Sequence, residues 1–392
     1  MRQTETEVTY LIHLLSSILK DKQPDAPPEY LDWESLYRLA VWHGVSNIAC
    51  YAIKHLVREK QPPQDIFIKF QNDCKKAMAR EAVQYIALEQ LLEAFEAEGI
   101  LSIPMKGSVL KYLYPSPDMR LMADIDILYH VEQKAVVRKI LKAQNYSLKA
   151  MGGNHDVYYR QPYMSIEMHH MLVAKVNPYS DYLEKTWNRA RLKTNCQSTY
   201  ELPQEDFFIY LLLHLNKHYI GGGTGIRSFM DIWVYREHYK NEMNWEYIHT
   251  ELNALHLREF SDNVLGLCDV WFGHEKSSGF YGDMAQYVVL SGTYGTRKHS
   301  VVSSLGILRD KKKPMIKLTY LLHVFFPPIE IIKNSYPLLK AWPFLLPVCW
   351  VLRGITCLAF KHSNTFQRMK EIRSVTREDI IKMENLHRKT GL

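Results

Sequence analysis

Apolar residues recur at helical spacing from the start of the chain: Val8, Leu11, Ile12, Leu15 and Ile18 share one face of a helix predicted over 5–20. A Pro-rich loop follows over 21–28. A second helix begins at Asp32, a residue type that caps free backbone N–H groups, and carries Leu36, Leu39, Ala40 and Val41 until His43 and Gly44 end or bend it. Another is predicted over 46–57. Pro62 and Pro63 break the pattern, and a long amphipathic helix then covers 65–98, with Gly99 as its stop. Residues 1–99 therefore read as an N-terminal helical region.

From Ile100 the period changes. Residues 100–105 read as a short strand, 108–114 as a helix, 123–129 as a strand and 131–145 as a helix. Residues 157–159 and 164–168 read as paired strands around Gln161 and Pro162. The chain is helical again from Asp181. Residues 207–215 are strongly apolar, and 226–239 form a helix after a glycine-rich loop over 221–225. The fold class is α+β: a small mixed sheet over 100–180, flanked by the N-terminal helices, a helical domain over 181–308 and an apolar-rich tail over 309–392.

With 392 residues, 47% hydrophobic and 23% charged, the chain has the composition of a folded protein of two or three domains. The polar, acidic start does not read as a secretory signal. Cys50, Cys74, Cys196, Cys268, Cys349 and Cys357 are scattered without a Cys-x-x-Cys pair, which implies a reducing, cytoplasmic setting. Net charge is +7, but from Arg309 onward 16 Lys and Arg face 6 Asp and Glu; that segment carries +10 and the rest −3. Such a tail suits a solubilising surface, nucleic acid, or weak association with an anionic membrane at the inner face. Residues 341–360 are apolar enough to raise a membrane span, but Arg353, Pro343, Pro347 and Gly354 interrupt them. A buried helix or a membrane-surface helix bearing Trp342, Trp350 and Phe360 fits better.

The chemistry concentrates over 103–128. Asp124 and Asp126 stand two apart in an apolar run, so a strand would project both from one face while Ile125, Ile127 and Leu128 anchor it. Paired carboxylates repel unless a cation joins them, and Mg²⁺ binds a few carboxylates together with substrate phosphates. A salt-bridged pair is the alternative. Gly107 and Ser108 at a helix start offer backbone N–H groups and a hydroxyl to phosphate, with Lys106 and Arg120 to neutralise its charge. His169 and His170 are adjacent and face opposite ways. His214 and His218 have i, i+4 spacing without the Glu of a zinc protease, so they line a cleft or sit satisfied in the core. Arg227 and Asp231 are also i, i+4 and can pair with each other. Lys311, Lys312 and Lys313 read as a solvated loop.

These residues resemble the "uncharacterised nucleotidyltransferase" branch, known from bacteria, of the DNA polymerase β-type nucleotidyltransferase superfamily. The resemblance rests on Met105, Lys106 and Gly107; Tyr114 and Pro115; Arg120; Asp124, Asp126 and Leu128; then Glu167 ahead of His169 and His170; and His214 to His218 followed by Gly225 to Asp231. It implies that Asp124, Asp126 and Glu167 are the catalytic, metal-holding acids, with Glu167 where Asp is more usual and nearest the acceptor. It implies that Asp231 faces the cleft. Glu167 paired with Arg160 across the hairpin is the structural alternative. The implied activity is transfer of a nucleoside monophosphate from a nucleoside triphosphate, with Mg²⁺ or Mn²⁺, to a hydroxyl or phosphate on a small molecule, glycan, protein or RNA, releasing pyrophosphate. A scaffold that binds nucleotide without turnover, at a membrane surface or an envelope glycan, is the alternative.

Overall fold

The N-terminal helices form because apolar residues return every three or four positions and caps lie at their ends. In the computed structural model, which describes residues 5–273, 279–310, 315–333, 336–360 and 362–392, these are α1 (Glu5–Leu19), α2 (Trp33–Trp42), α3 (Ser46–Lys54) and α4 (Gln64–Ala97). Lys311, Lys312 and Lys313 lie outside the described residues. Asp32 caps α2, its carboxylate accepting from the backbone N–H groups of Glu34 at 3.0 Å and Ser35 at 3.2 Å. Gly99, at φ +63°, turns the chain out of α4.

Next come β1 (Ser102–Pro104), α5 (Gly107–Leu110), β2 (Ile125–Tyr129), α6 (Lys134–Ala143), β3 (Ser147–Met151), β4 (His155–Arg160) and β5 (Met164–His169). They make one five-stranded sheet in the order β1-β2-β5-β4-β3. Only β2 and β5 run parallel, so the sheet is mixed as expected. Strand β3 was not expected: Ser147 to Met151 are exposed throughout, so this edge strand has no alternating apolar pattern. Ile125, Ile127, Ile166, Met168 and Tyr158 pack against Leu88, Leu91 and Phe95 of α4 and Val137 and Leu141 of α6. Alternation sends Asp126, Glu167 and His169 to the other face.

After α7 (Ser180–Glu184) and α8 (Thr186–Arg189), β6 (Arg191–Leu192) and β7 (Tyr200–Glu201) form a short ribbon. Helices α9 (Gln204–Gly222), α10 (Ile226–Tyr239), α11 (Trp245–Ala254), α12 (Arg258–Phe272) and α13 (Gly279–Ser291) follow. Contrary to expectation, Gly221 and Gly222 belong to α9, and the loop is confined to Gly223, Thr224 and Gly225.

The chain divides into two units. The first comprises Met1–His214 and Ile226–Ala285, and the second Leu215–Gly225 and Gln286–Leu392. The second contains α14 (Arg297–Asp310), α15 (Ile316–Phe325), α16 (Ile329–Ile332), α17 (Leu346–Phe360), α18 (His362–Ser374) and α19 (Arg377–Lys389). Ile332, Leu339 and Cys349 form a small core there, with Trp350 against it.

Ile166, fully buried beneath the polar face of the sheet, sets the height of β5. Truncation in Ile166→Ala is expected to remove about 2–5 kcal/mol of stability, measured by urea unfolding.

Candidate nucleotidyltransferase site

Strand register builds the site. Asp126 on β2 is the direct partner of Glu167 on β5, and His155 on β4 is the direct partner of His169. Glu167 and His169 share a face because they are two apart. Asp124 lies one residue before β2, in a bend rather than within the strand. It still belongs to the same electrostatic group, since Asp126, Glu167, Lys106 and His169 all perturb it. The structure thus gathers the three predicted acids, Lys106 and His169. It adds His155 and Tyr210, which sequence reasoning missed.

Asp126 is the buried centre. Lys106 Nζ donates to its Oδ1 at 2.6 Å, and His169 Nε2 lies 2.8 Å from the same oxygen. Nε2 is also 3.3 Å from Glu167 Oε2, and His155 Nε2 is 3.6 Å from Glu167 Oε1. Arg160 is paired with Met164 in the ladder and donates to the Gln144 carbonyl, so the alternative hairpin partner of Glu167 is replaced by histidines. Among the described residues, His155, Glu167 and His169 offer ligand atoms all within 4.8 Å of one another, a set that can hold a metal ion.

The charges are strongly coupled. Burial pushes the Asp124 carboxyl up, and the neighbouring Asp126 and Glu167 carboxylates push it further, to about 6. Burial disfavours ionised Asp126 too, but the His169 hydrogen bond and the Lys106 ammonium outweigh it and hold Asp126 well below the usual range. Glu167 is lowered by its hydrogen bond with His169, against burial. Burial opposes charge on His169, yet its bonds to Asp126 and Glu167 raise it. His155 is lowered, chiefly by burial. Lys106 is raised despite burial, with Tyr210 and Asp126 as its main supports. Asp126 and Glu167 therefore share one face, and Asp124 beside them is the one of the three acids whose carboxyl is raised.

Lys106 reaches Asp126 from strained backbone, at φ +48°, where a non-glycine residue is uncommon. The expected phosphate cradle is modified here. Helix α5 is only four residues long, so little macrodipole stands behind Gly107. A Cβ on Gly107 would come within 2.6 Å of Met122 Cγ, so packing against Met122 requires this glycine. Ser108 Oγ is buried and makes no hydrogen bond, as are His155 Nδ1 and His169 Nδ1.

Arg120 takes a different role from the one expected. Its Nε and Nη2 grip Asp231 Oδ1 and Oδ2 at 2.6 and 2.8 Å, and Tyr114 Oη donates to Oδ1 at 2.8 Å. Asp231 is thus taken up by Arg120 and Tyr114, while Arg227 donates to the Leu121 carbonyl at 3.2 Å. The triad ties α10 to the segment leading into Asp124. His214 sits on α9 near Tyr210, with ring centroids 6.2 Å apart. His218 lines a cavity of the second unit. His170 turns away from Asp126 and bonds the Gly153 carbonyl.

A mixed sheet thus carries acids on adjacent strands, with a Lys-Gly-Ser turn ahead of them. Residues 29–273 match the family model described as "Uncharacterised nucleotidyltransferase", and the chain belongs to that family. Neither the curated proteins nor the solved structures contain a match.

Two outcomes follow from these charges. Folding raises Asp124 from 3.8 to about 6, so ionised Asp124 costs stability that grows as pH rises through that window, up to about 3 kcal/mol above it. In chelator at pH 7.5, Asp124→Asn is expected to be more stable than wild type by about 1–3 kcal/mol, with a flatter stability profile between pH 4 and 6. Conversely, Asp231→Ala strands a buried guanidinium and is expected to lose about 3–5 kcal/mol in chemical unfolding. An unchanged midpoint would mean that Arg120 does not depend on Asp231.

Proposed function

We propose that this protein transfers a nucleoside monophosphate from a nucleoside triphosphate to an acceptor hydroxyl or phosphate, with Mg²⁺ or Mn²⁺ and release of pyrophosphate. The observation that carries this reading is the Asp126–Glu167 register with Asp124 beside it. Three acids gathered together, with Asp124 raised by burial and by its neighbours, fit a divalent cation better than a closed salt-bridge network. Asp124, Asp126 and Glu167 would hold it, with His155 and His169 at the imidazole side, which also suits Mn²⁺. When bound, such ions neutralise triphosphate charge and stabilise the attacking and leaving oxygens. The chain's own groups do the rest. Lys106 exchanges Asp126 for a phosphate oxygen, and Ser108 Oγ gives its unused hydroxyl to the same chain of phosphates. Glu167 takes the acceptor proton, with His155 Nε2 3.6 Å away to pass it on. The acceptor oxygen bonds to the α-phosphorus as the bond to the β-phosphate bridging oxygen breaks, and pyrophosphate leaves. Calorimetry with the four nucleoside triphosphates, with and without Mg²⁺, tests this. One or more should bind only with metal, and binding should weaken at least 100-fold in the Asp124→Asn/Asp126→Asn variant. Equal binding by both proteins would contradict the site.

We further propose that the enzyme works at the cytoplasmic face of an anionic membrane, held there by its second unit. Leu318, Leu322 and Phe325 make an i, i+4, i+7 stripe on α15 that faces solvent. Val348, Val351, Leu352 and Ile355 make an exposed i, i+3, i+4, i+7 stripe on α17, while Cys349 and Trp350 face the small core. A surface helix of a freely soluble protein would be polar at those positions. Trp342 and Phe344 are exposed between them at 54% and 69%. Over 315–356 the chain has Lys317, Lys333, Lys340 and Arg353 against Glu330 alone, a balance suited to anionic headgroups. No described helix is long and apolar enough to cross a membrane. Interfacial seating matches this combination. Co-sedimentation with phosphatidylglycerol vesicles should capture wild type, and Val351→Asp/Ile355→Asp should reduce capture at least tenfold. Equal capture of both would rule this face out.

A further inference from the structure

The second unit contains a cavity of about 550 Å³ that belongs to no part of the carboxylate site. Lys217, Arg297 and Arg368 line it, with His218, and no carboxylate does. Arg297 Nη1 donates to Gln367 Oε1 at 2.7 Å, and Arg368 Nη2 to Tyr320 Oη at 2.9 Å. Both guanidiniums are oriented by these bonds to an amide oxygen and a phenol oxygen. Thr296 caps α14, accepting from the His299 N–H at 3.1 Å, which brings the start of a 14-residue helix to the same wall. The unit as a whole carries 19 Lys and Arg against 6 Asp and Glu.

The glycines separate packing from binding. A Cβ on Gly222 would press on Ser300 and Thr296, one on Gly223 would overlap Ser291, and one on Gly295 would strike the Gly222 and Gly223 carbonyls. Packing accounts for these three. Gly221 differs: it lies within α9, lines the cavity, and a Cβ there would meet nothing within 4 Å. Glycine inside a helix weakens it relative to Ala. Among the described residues no neighbour explains that weakness, and an open glycine leaves the backbone approachable.

We propose that this cavity binds a small molecule carrying at least two phosphate groups, independently of divalent metal and of the carboxylate site. Three lining cations, two of them oriented by hydrogen bonds, a glycine-lined wall and a helix start match the charge and donor needs of adjacent phosphates, and the volume lies within the range of small-molecule sites. The proposal does not depend on the nucleotidyl-transfer reading.

The probe is inorganic pyrophosphate, titrated calorimetrically into the full-length protein in chelator at physiological ionic strength. Wild type and the Asp124→Asn/Asp126→Asn variant should bind it equally. Arg297→Gln/Arg368→Gln should bind at least tenfold more weakly. Gly221→Leu fills the cavity without changing charge and should also lose binding, with thermal stability equal to or above wild type because the position is open. Absence of wild-type binding, loss of binding in the Asp124→Asn/Asp126→Asn variant, or retention in Gly221→Leu would each overturn the proposal.

Discussion

The constraint on which the first unit depends is the repulsion among three carboxylates: two that strand register forces onto one face, and Asp124 in the bend beside them. Asp126 and Glu167 are ladder partners on β2 and β5, so neither can turn away without breaking the sheet. Lys106 and His169 relieve Asp126, and His169 and His155 relieve Glu167. Asp124, buried and beside both carboxylates, has no such hydrogen-bonded cation among the described residues, and it alone among the three is raised, by burial first and by its neighbours second. A fold selected only for stability would place an apolar residue there. Charge crowding of this kind is local frustration.

Holding that frustration requires a rigid approach to Asp124. The segment over 114–123 is clamped from three sides. Asn47 of α3 donates to the Asp118 carbonyl, Gln84 and Arg80 of α4 donate to the Met122 and Ala123 carbonyls, and Asp231 of α10 receives Arg120 and Tyr114. Arg120 and Asp231 are distant in sequence and form a buried bidentate pair that ties α10 to this segment. The helical regions around the sheet are therefore part of the site's construction.

Much of this was legible in the sequence. The helical periods of α1 to α4, the Asp32 cap and the switch at Ile100 come from local chemistry. Alternation led to the expectation of a shared strand face for Asp124 and Asp126, but Asp124 lies in the bend before the strand and joins the group by proximity. Glu167 and His169 were visible through the family pattern, but not their partnership with His155, because the expected strand began at residue 157 and β4 begins two residues earlier. Strand β3 was hidden because an exposed edge strand buries nothing. Arg120 looked like a phosphate ligand because sequence reveals a cation and not its partner 111 residues away. The glycines divided in the same way: Gly107 and Gly295 answer to close packing, Gly221 to open space.

The central claim is that Asp124, Asp126 and Glu167 act together as one divalent-cation site. Mn²⁺ titration of the full-length protein, followed by electron paramagnetic resonance in the presence of nucleoside triphosphate, tests it most directly. The account predicts protein-dependent Mn²⁺ binding that Mg²⁺ displaces and that Asp124→Asn, Asp126→Asn and Glu167→Gln each weaken. Mn²⁺ binding that is identical in wild type and all three variants would contradict it.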